Sequence, residues 1–114
     1  MNVGVVTLTN KSTIYYSNAE LTSMLRIPLE NIAGKQLSNF IHPGDLKIFK
    51  DILNIETTTK KEINMVSVDG TIIPVHISVN TLRDLKGLYL LITDLRKQKY
   101  FEALQLQIMN LKKV

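Results

Sequence analysis

The alternation from Ile72 to Thr81 constrains this chain most, because it follows an Asp69-Gly70 pair and a second strand-like run from Glu62 to Val68. Ile73, Val75, Ile77 and Val79 share one side of an extended chain, and Pro74, His76, Ser78 and Asn80 share the other. Aspartate-glycine accommodates the backbone geometry of a tight hairpin turn. The two runs therefore predict an antiparallel hairpin with one core face and one semi-polar face. An apolar face of this kind must be covered, and the rest of the chain has to supply both further strands and the cover.

Val3 to Leu8 reads as a strand, Asn10-Lys11-Ser12 as a turn, and Thr13 to Tyr16 as the partner strand. Ser17-Asn18-Ala19-Glu20 has the pattern of a helix start, with either Ser17 or Asn18 as the cap. Leu21, Met24 and Leu25 line a helix of about two turns, which stops before Pro28 because the residue ahead of a proline avoids helical geometry. A second short helix runs from Pro28 to Ala33, with Gly34 past its end. His42-Pro43-Gly44-Asp45 is a turn, and Asp45 is placed to cap a third helix over Leu46 to Leu53. Leu46, Phe49, Ile52 and Leu53 share a face of that helix. Thr57 to Lys61 is a polar link, and Arg83 to Gly87 turns the chain into a last strand ending at Leu95.

That strand passes without a break into a helix-patterned tail. Phe101, Leu104, Ile108 and Leu111 are spaced by three, four and three residues, the seam of a helix that pairs with another. The expected architecture is α+β: a five-stranded antiparallel sheet with short helices on one face, then a coiled-coil-forming helix. Residues 1–95 form the core and 96–114 the helix, expected to pair with a twin and to lead to another module.

At 114 residues the chain can bury one adequate core. It has no cysteine, which removes disulfides, thiolate chemistry and cysteine-ligated metal sites together. No apolar run reaches the roughly 18 residues needed to cross a bilayer, so direct membrane contact is not expected. Neither is a signal peptide, and the expected location is cytoplasmic. The net charge of +4 sits entirely on residues 96–114, where Arg96, Lys97, Lys99, Lys112 and Lys113 face only Glu102. A basic stripe on one helix is ordinarily its solvated face, and a nucleic-acid footprint would be larger and interleaved with exposed aromatics.

Several segments in this order resemble the PAS sensory domain family, a module of histidine kinases, cyclic-dinucleotide enzymes and chemoreceptors. Tyr15 to Leu21, with Asn18, resembles that family's strand-into-helix segment, and Pro28 to Lys35 its next helix and glycine. His42-Pro43-Gly44-Asp45 matches its histidine-proline-x-aspartate motif, Asp69-Gly70 its central turn, and Ile92 to Leu95 its exit motif. Two positions depart from the pattern: Val68 stands where the family has a basic residue, and Arg96 where it has a threonine. Contacts made by those groups do not carry over.

The resemblance implies a regulator rather than an enzyme, and the chain has no nucleophile elbow or phosphate-binding glycine loop. Members of the family carry haem, flavin, small metabolites or nothing. The flavin photochemistry of its light-sensing members requires a cysteine, which is missing here. His42 lies in the structural turn and His76 opposite the aliphatic stripe, so neither is placed as a haem ligand, and His42 with Asp45 offers too few ligands for a metal. No cofactor is expected. A cavity between helices and sheet would be walled by Leu21, Met24, Leu25, Ile32, Phe40, Ile41, Phe49, Ile52, Ile63, Met65, Val75, Ile77, Leu90 and Ile92, with Asn18 as a polar group. Such a wall favours a small apolar ligand; the alternative is that these side chains simply fill the interior. Asp94 and Leu95 would form the joint between body and helix, and Phe101, Leu104, Ile108 and Leu111 a homodimer contact. The function implied is signal input to an output domain in the same chain, with a constitutive dimerisation module as the alternative.

Overall fold

The computed structural model describes residues 3–54, 59–82 and 87–112. Most of the expected turn at Arg83 to Lys86, the link residues Thr57 and Thr58, and Lys113 lie outside them. Five strands, β1 (Val3–Thr9), β2 (Ile14–Ser17), β3 (Thr59–Val66), β4 (Ile72–Leu82) and β5 (Gly87–Asp94), form one sheet in the order β2-β1-β5-β4-β3. Every neighbouring pair is antiparallel. The last strand thus occupies the centre of the sheet, bonded on one side to β1 and on the other to β4. The helices are α1 (Ala19–Leu25), α2 (Leu29–Ile32), α3 (Leu46–Leu53) and α4 (Arg96–Lys112).

The alternation in β4 turns Ile73, Val75, Ile77 and Val79 into the core, while Pro74, His76, Ser78 and Asn80 stay half-buried on the outer face. Leu90 and Ile92 of β5 and Val6 and Leu8 of β1 continue the inner layer. It is covered by Leu21 and Leu25 from α1, Ile32 from α2, Leu37 and Phe40, and Phe49 and Ile52 from α3. Gly4 lets α1 close on the sheet, since a Cβ there would stand 2.9 Å from the Cβ of Leu21.

Four local expectations are corrected. The link residues Thr59 to Lys61 are strand, because they pair with Val79, Ser78 and Ile77 and lengthen the hairpin. The turn is looser than a two-residue one: Ser67 N–H donates to Thr71 C=O, enclosing Val68, Asp69 and Gly70, with Gly70 at φ +87°. That three-residue loop ends in the left-handed glycine such hairpins use. Asp45 does not cap α3, since its carboxylate is committed elsewhere. Besides α1, α2 and α3, the middle of the chain has two 3₁₀ turns, Leu37–Phe40 and Pro43–Asp45.

Pro74 lies in an interior strand, normally closed to proline. It stands opposite Asn64, whose N–H and C=O turn away from β4 and bond the His42–Asp45 turn. The Pro74 carbonyl points the other way and accepts from Leu95 N–H at 2.9 Å, at the point where β5 gives way to α4.

Candidate functional site

Three contacts hold the junction between sheet and tail. Leu95 is buried and its N–H is bonded to Pro74, so the first residue beyond β5 remains part of the sheet. Asp94 Oδ1 accepts from the Arg96 backbone N–H at 2.9 Å, while its Oδ2 accepts from Arg96 Nη2 at 2.7 Å. Lys99 on the first turn of α4 reaches Glu62 of β3 at 2.9 Å. Burial works against the charge on Asp94, but the hydrogen bonds from the Arg96 side chain and backbone outweigh it and hold the carboxyl below its ordinary value. Arg96 is raised in turn, chiefly by its hydrogen bond to Asp94. The residue that departs from the exit motif therefore makes its own clamp, with opposite charges two positions apart as the signal in the sequence.

Beyond the first turn the described residues of α4 are exposed apart from the half-buried Leu104, and the principal extents are 58 × 31 × 26 Å. Phe101 is 55% exposed, Ile108 50% and Leu111 71%, with Leu104 half-buried. At about 100° per residue these four fall within one narrow arc, and Tyr100, 62% exposed, falls beside them. Tyr100 also meets Phe101 edge-on, with ring centroids 6.0 Å apart.

The residues expected to wall a cavity form one buried cluster, with Leu21, Leu25, Ile32, Ile41, Phe49, Ile52, Ile63, Met65, Val75, Ile77, Leu90 and Ile92 packed together. Met24 and Phe40 belong to the same cluster and also line two surface clefts, one each. Asn18 is committed to the fold. Its Oδ1 accepts from Leu21 N–H at 3.1 Å, capping α1, and from Val5 N–H at 2.9 Å, while its Nδ2 donates to Val3 C=O at 3.2 Å. That leaves Glu20 one position short of the reciprocal capping contact.

The larger cleft holds about 520 Å³ and is lined by Arg26, Ile27, Pro28, Asn31, Lys35, Asn39, Phe40 and Val68. Sequence reading missed it because it is built by a corner. Arg26 ends α1 in the left-handed conformation at φ 59°, with its N–H directed back to Ser23 and Thr22, and α2 leaves at a new angle after Pro28. The Arg26 guanidinium lies 3.2 Å from Asp69 in the β3–β4 loop. The Ser67 hydroxyl, then Thr71, pull the Asp69 carboxyl down to about 2, and the Arg26 charge adds to them. The smaller cleft, about 190 Å³, lies between α1 and the junction, at Glu20, Ser23, Met24, Asp94 and Arg96.

His42 Nδ1 accepts from Gly44 N–H at 3.1 Å within its turn, and His76 sits on the outer face of β4. Among the described residues no three histidine or carboxylate side chains gather as a metal site requires. No helix among them is long and apolar enough to cross a membrane.

The five-stranded sheet with its helical cover is matched by comparison with known proteins. The sequence model of the PAS fold family matches residues 1–94. The chain belongs to the PAS family. No curated protein matches its sequence closely enough to count as a relative. Among solved structures it is similar to the PAS domain of a protein from Colwellia psychrerythraea, at 17% identity and a TM-score of 0.70, covering 85% of this chain and 89% of that one. A domain of a sensory box sensor histidine kinase/response regulator from Geobacter sulfurreducens is similar at 11% identity and TM-score 0.70, covering 82% and 83%. The N-terminal domain of a diguanylate cyclase with PAS/PAC sensor from Marinobacter aquaeolei matches at 12% identity and TM-score 0.71, covering 85% and 98%. At these identities the likeness establishes the PAS fold.

Proposed function

We propose that this PAS domain is the signal-input module of a cytoplasmic multidomain signalling protein, with residues 1–95 as the sensing core and 96–114 as a helix that dimerises and drives an output domain. The observation that carries this reading is the bonding of Leu95 into the sheet directly ahead of α4. A displacement of β4 or β5 cannot be absorbed by a loose linker at that point; it tilts or rotates the helix. Phe101, Leu104, Ile108 and Leu111 form the interhelical contact, and Asp94 with Leu95 forms the joint. An input shifts the output only by its differential affinity for two helix arrangements, typically about 1–3 kcal/mol. The similar sensor kinase and cyclase domains support a kinase or cyclic-dinucleotide output. Inserting one residue after Asp94 in a chain carrying its output domain rotates the seam by about 100°. The expected result is altered output, and unchanged output overturns the helical relay.

The second reading is a constitutive dimerisation module without a ligand, favoured by the packing of the expected pocket wall into one buried cluster. Native mass spectrometry of freshly purified protein separates the two. A retained small molecule supports sensing, and a bare chain mass supports the constitutive module.

A further inference from the structure

The 520 Å³ cleft at the α1–α2 corner plays no part in the helical joint, and its volume lies in the range of small-molecule sites. Its lining holds two cations, Arg26 and Lys35, two amides, Asn31 and Asn39, and no carboxylate among the described residues. Ile27, Phe40 and Val68 supply an apolar surface beside them. The geometry points to a binding site for a small organic carboxylate with an apolar body.

Charge and shape select that class together. The Arg26 guanidinium carries five N–H donors, and its contact with Asp69 engages Nη1, which anchors the group at the cleft while leaving donors free. Asp69 Oδ1 accepts from Ser67 and Thr71 within its own loop, and its Oδ2 is the oxygen that faces Arg26. Even with Asp69 counted, Lys35 leaves the cluster positive, and its ammonium makes no ion pair with a described residue. A hydrocarbon would leave the Lys35 ammonium and the remaining Arg26 donors unmatched, and a free phosphate would leave the apolar surface uncovered. The walls are preformed: Val68 N–H donates to Leu25 C=O at 2.9 Å, and Gly34 N–H and Lys35 C=O bond Ile14 at 2.8 Å each. Arg26 also holds a left-handed backbone that glycine would adopt without strain. The Arg26 side chain at that position brings a positive charge to the cleft.

Because Val68 belongs to the β3–β4 connection and β4 pairs with β5, this site supplies an input to the proposed relay and rests on that reading only for its consequence. Binding itself is independent of the tail. The test is titration of the ¹⁵N-labelled chain with 3-phenylpropionate, 3-phenylpropionamide and inorganic phosphate. Saturable shifts are expected for 3-phenylpropionate at the amides of Arg26, Asn31, Lys35 and Val68, with affinity for the uncharged amide and for phosphate lower by about tenfold. Lys35→Gln lowers carboxylate affinity by about tenfold with the spectrum otherwise retained, and Arg26→Gly raises the melting temperature while weakening binding. The inference is overturned by absence of saturable binding across the millimolar range, by equal affinity for acid and amide or for phosphate, or by shifts centred on Ile77 and Leu90. The dimer and its relay remain testable through the seam whichever result is obtained.

Discussion

The carboxylate of Asp45 accepts a hydrogen bond from the backbone N–H of Asn64 at 2.7 Å, and the Asn64 carbonyl accepts from His42 N–H at 2.9 Å. The histidine-proline-glycine-aspartate turn is therefore a two-point latch on β3. It satisfies backbone groups that would otherwise be open on an edge strand, and it holds α3 over the core.

Replacing Asp45 by alanine removes one arm of that latch. A charge-assisted bond to a half-buried N–H contributes about 1.5–3 kcal/mol, so Asp45→Ala is expected to lower unfolding stability by about that amount. Urea denaturation followed by circular dichroism measures it. An unchanged midpoint contradicts the latch.

Asn18 joins three backbone groups from two elements, so its loss is felt in both. Asn18→Ala removes the α1 cap, typically about 1 kcal/mol, and leaves the Val5 N–H without its side-chain acceptor at about 1–3 kcal/mol more. Asn18→Asp keeps both acceptor contacts and is expected to lie between the two. Equal stability of all three proteins refutes this assignment.

At Gly4 the constraint is space. The nearest atoms to an added methyl are the Cβ, Cδ1 and Cα of Leu21, at 2.9 to 3.2 Å, so α1 itself must move. Gly4→Ala is expected to cost about 1–3 kcal/mol, with amide shifts concentrated on α1 and β1. A neutral effect on stability is the contrary outcome.

The hairpin, the strand-to-helix exit and the buried stripe of β4 were legible because period-two alternation and turn residues are local signals. The latch, the Gly4 contact and the α1–α2 cleft were not, since each depends on residues brought together across the chain. Asp45 illustrates the limit: its position before Leu46 fits a helix cap, yet β3 supplies a nearby unpaired N–H and captures the carboxylate. Arg26 left no trace either, because a left-handed helix end is expected at glycine or asparagine.

Asp69 and Asp94 both titrate below their ordinary value of 3.8, Asp69 at about 2. A depressed folded-state pKa contributes stability that is present above the unfolded value and is lost as pH falls through the folded one. Stability is thus expected to decline between about pH 4 and pH 2, with a shallower decline in Asp69→Asn and Asp94→Asn. Urea midpoints across that range test this, and slopes identical to the unmodified chain contradict it.

Sedimentation of the chain beside a Phe101→Glu/Ile108→Glu variant tests the central claim, that α4 carries the body's state through a paired seam. Both positions are exposed, so the fold is expected to survive the changes. Two heptads pair weakly, and the unmodified chain is expected to show a concentration-dependent dimer that the variant loses. The same dimer in both proteins, or monomers alone in both at the highest concentration reached, contradicts the account.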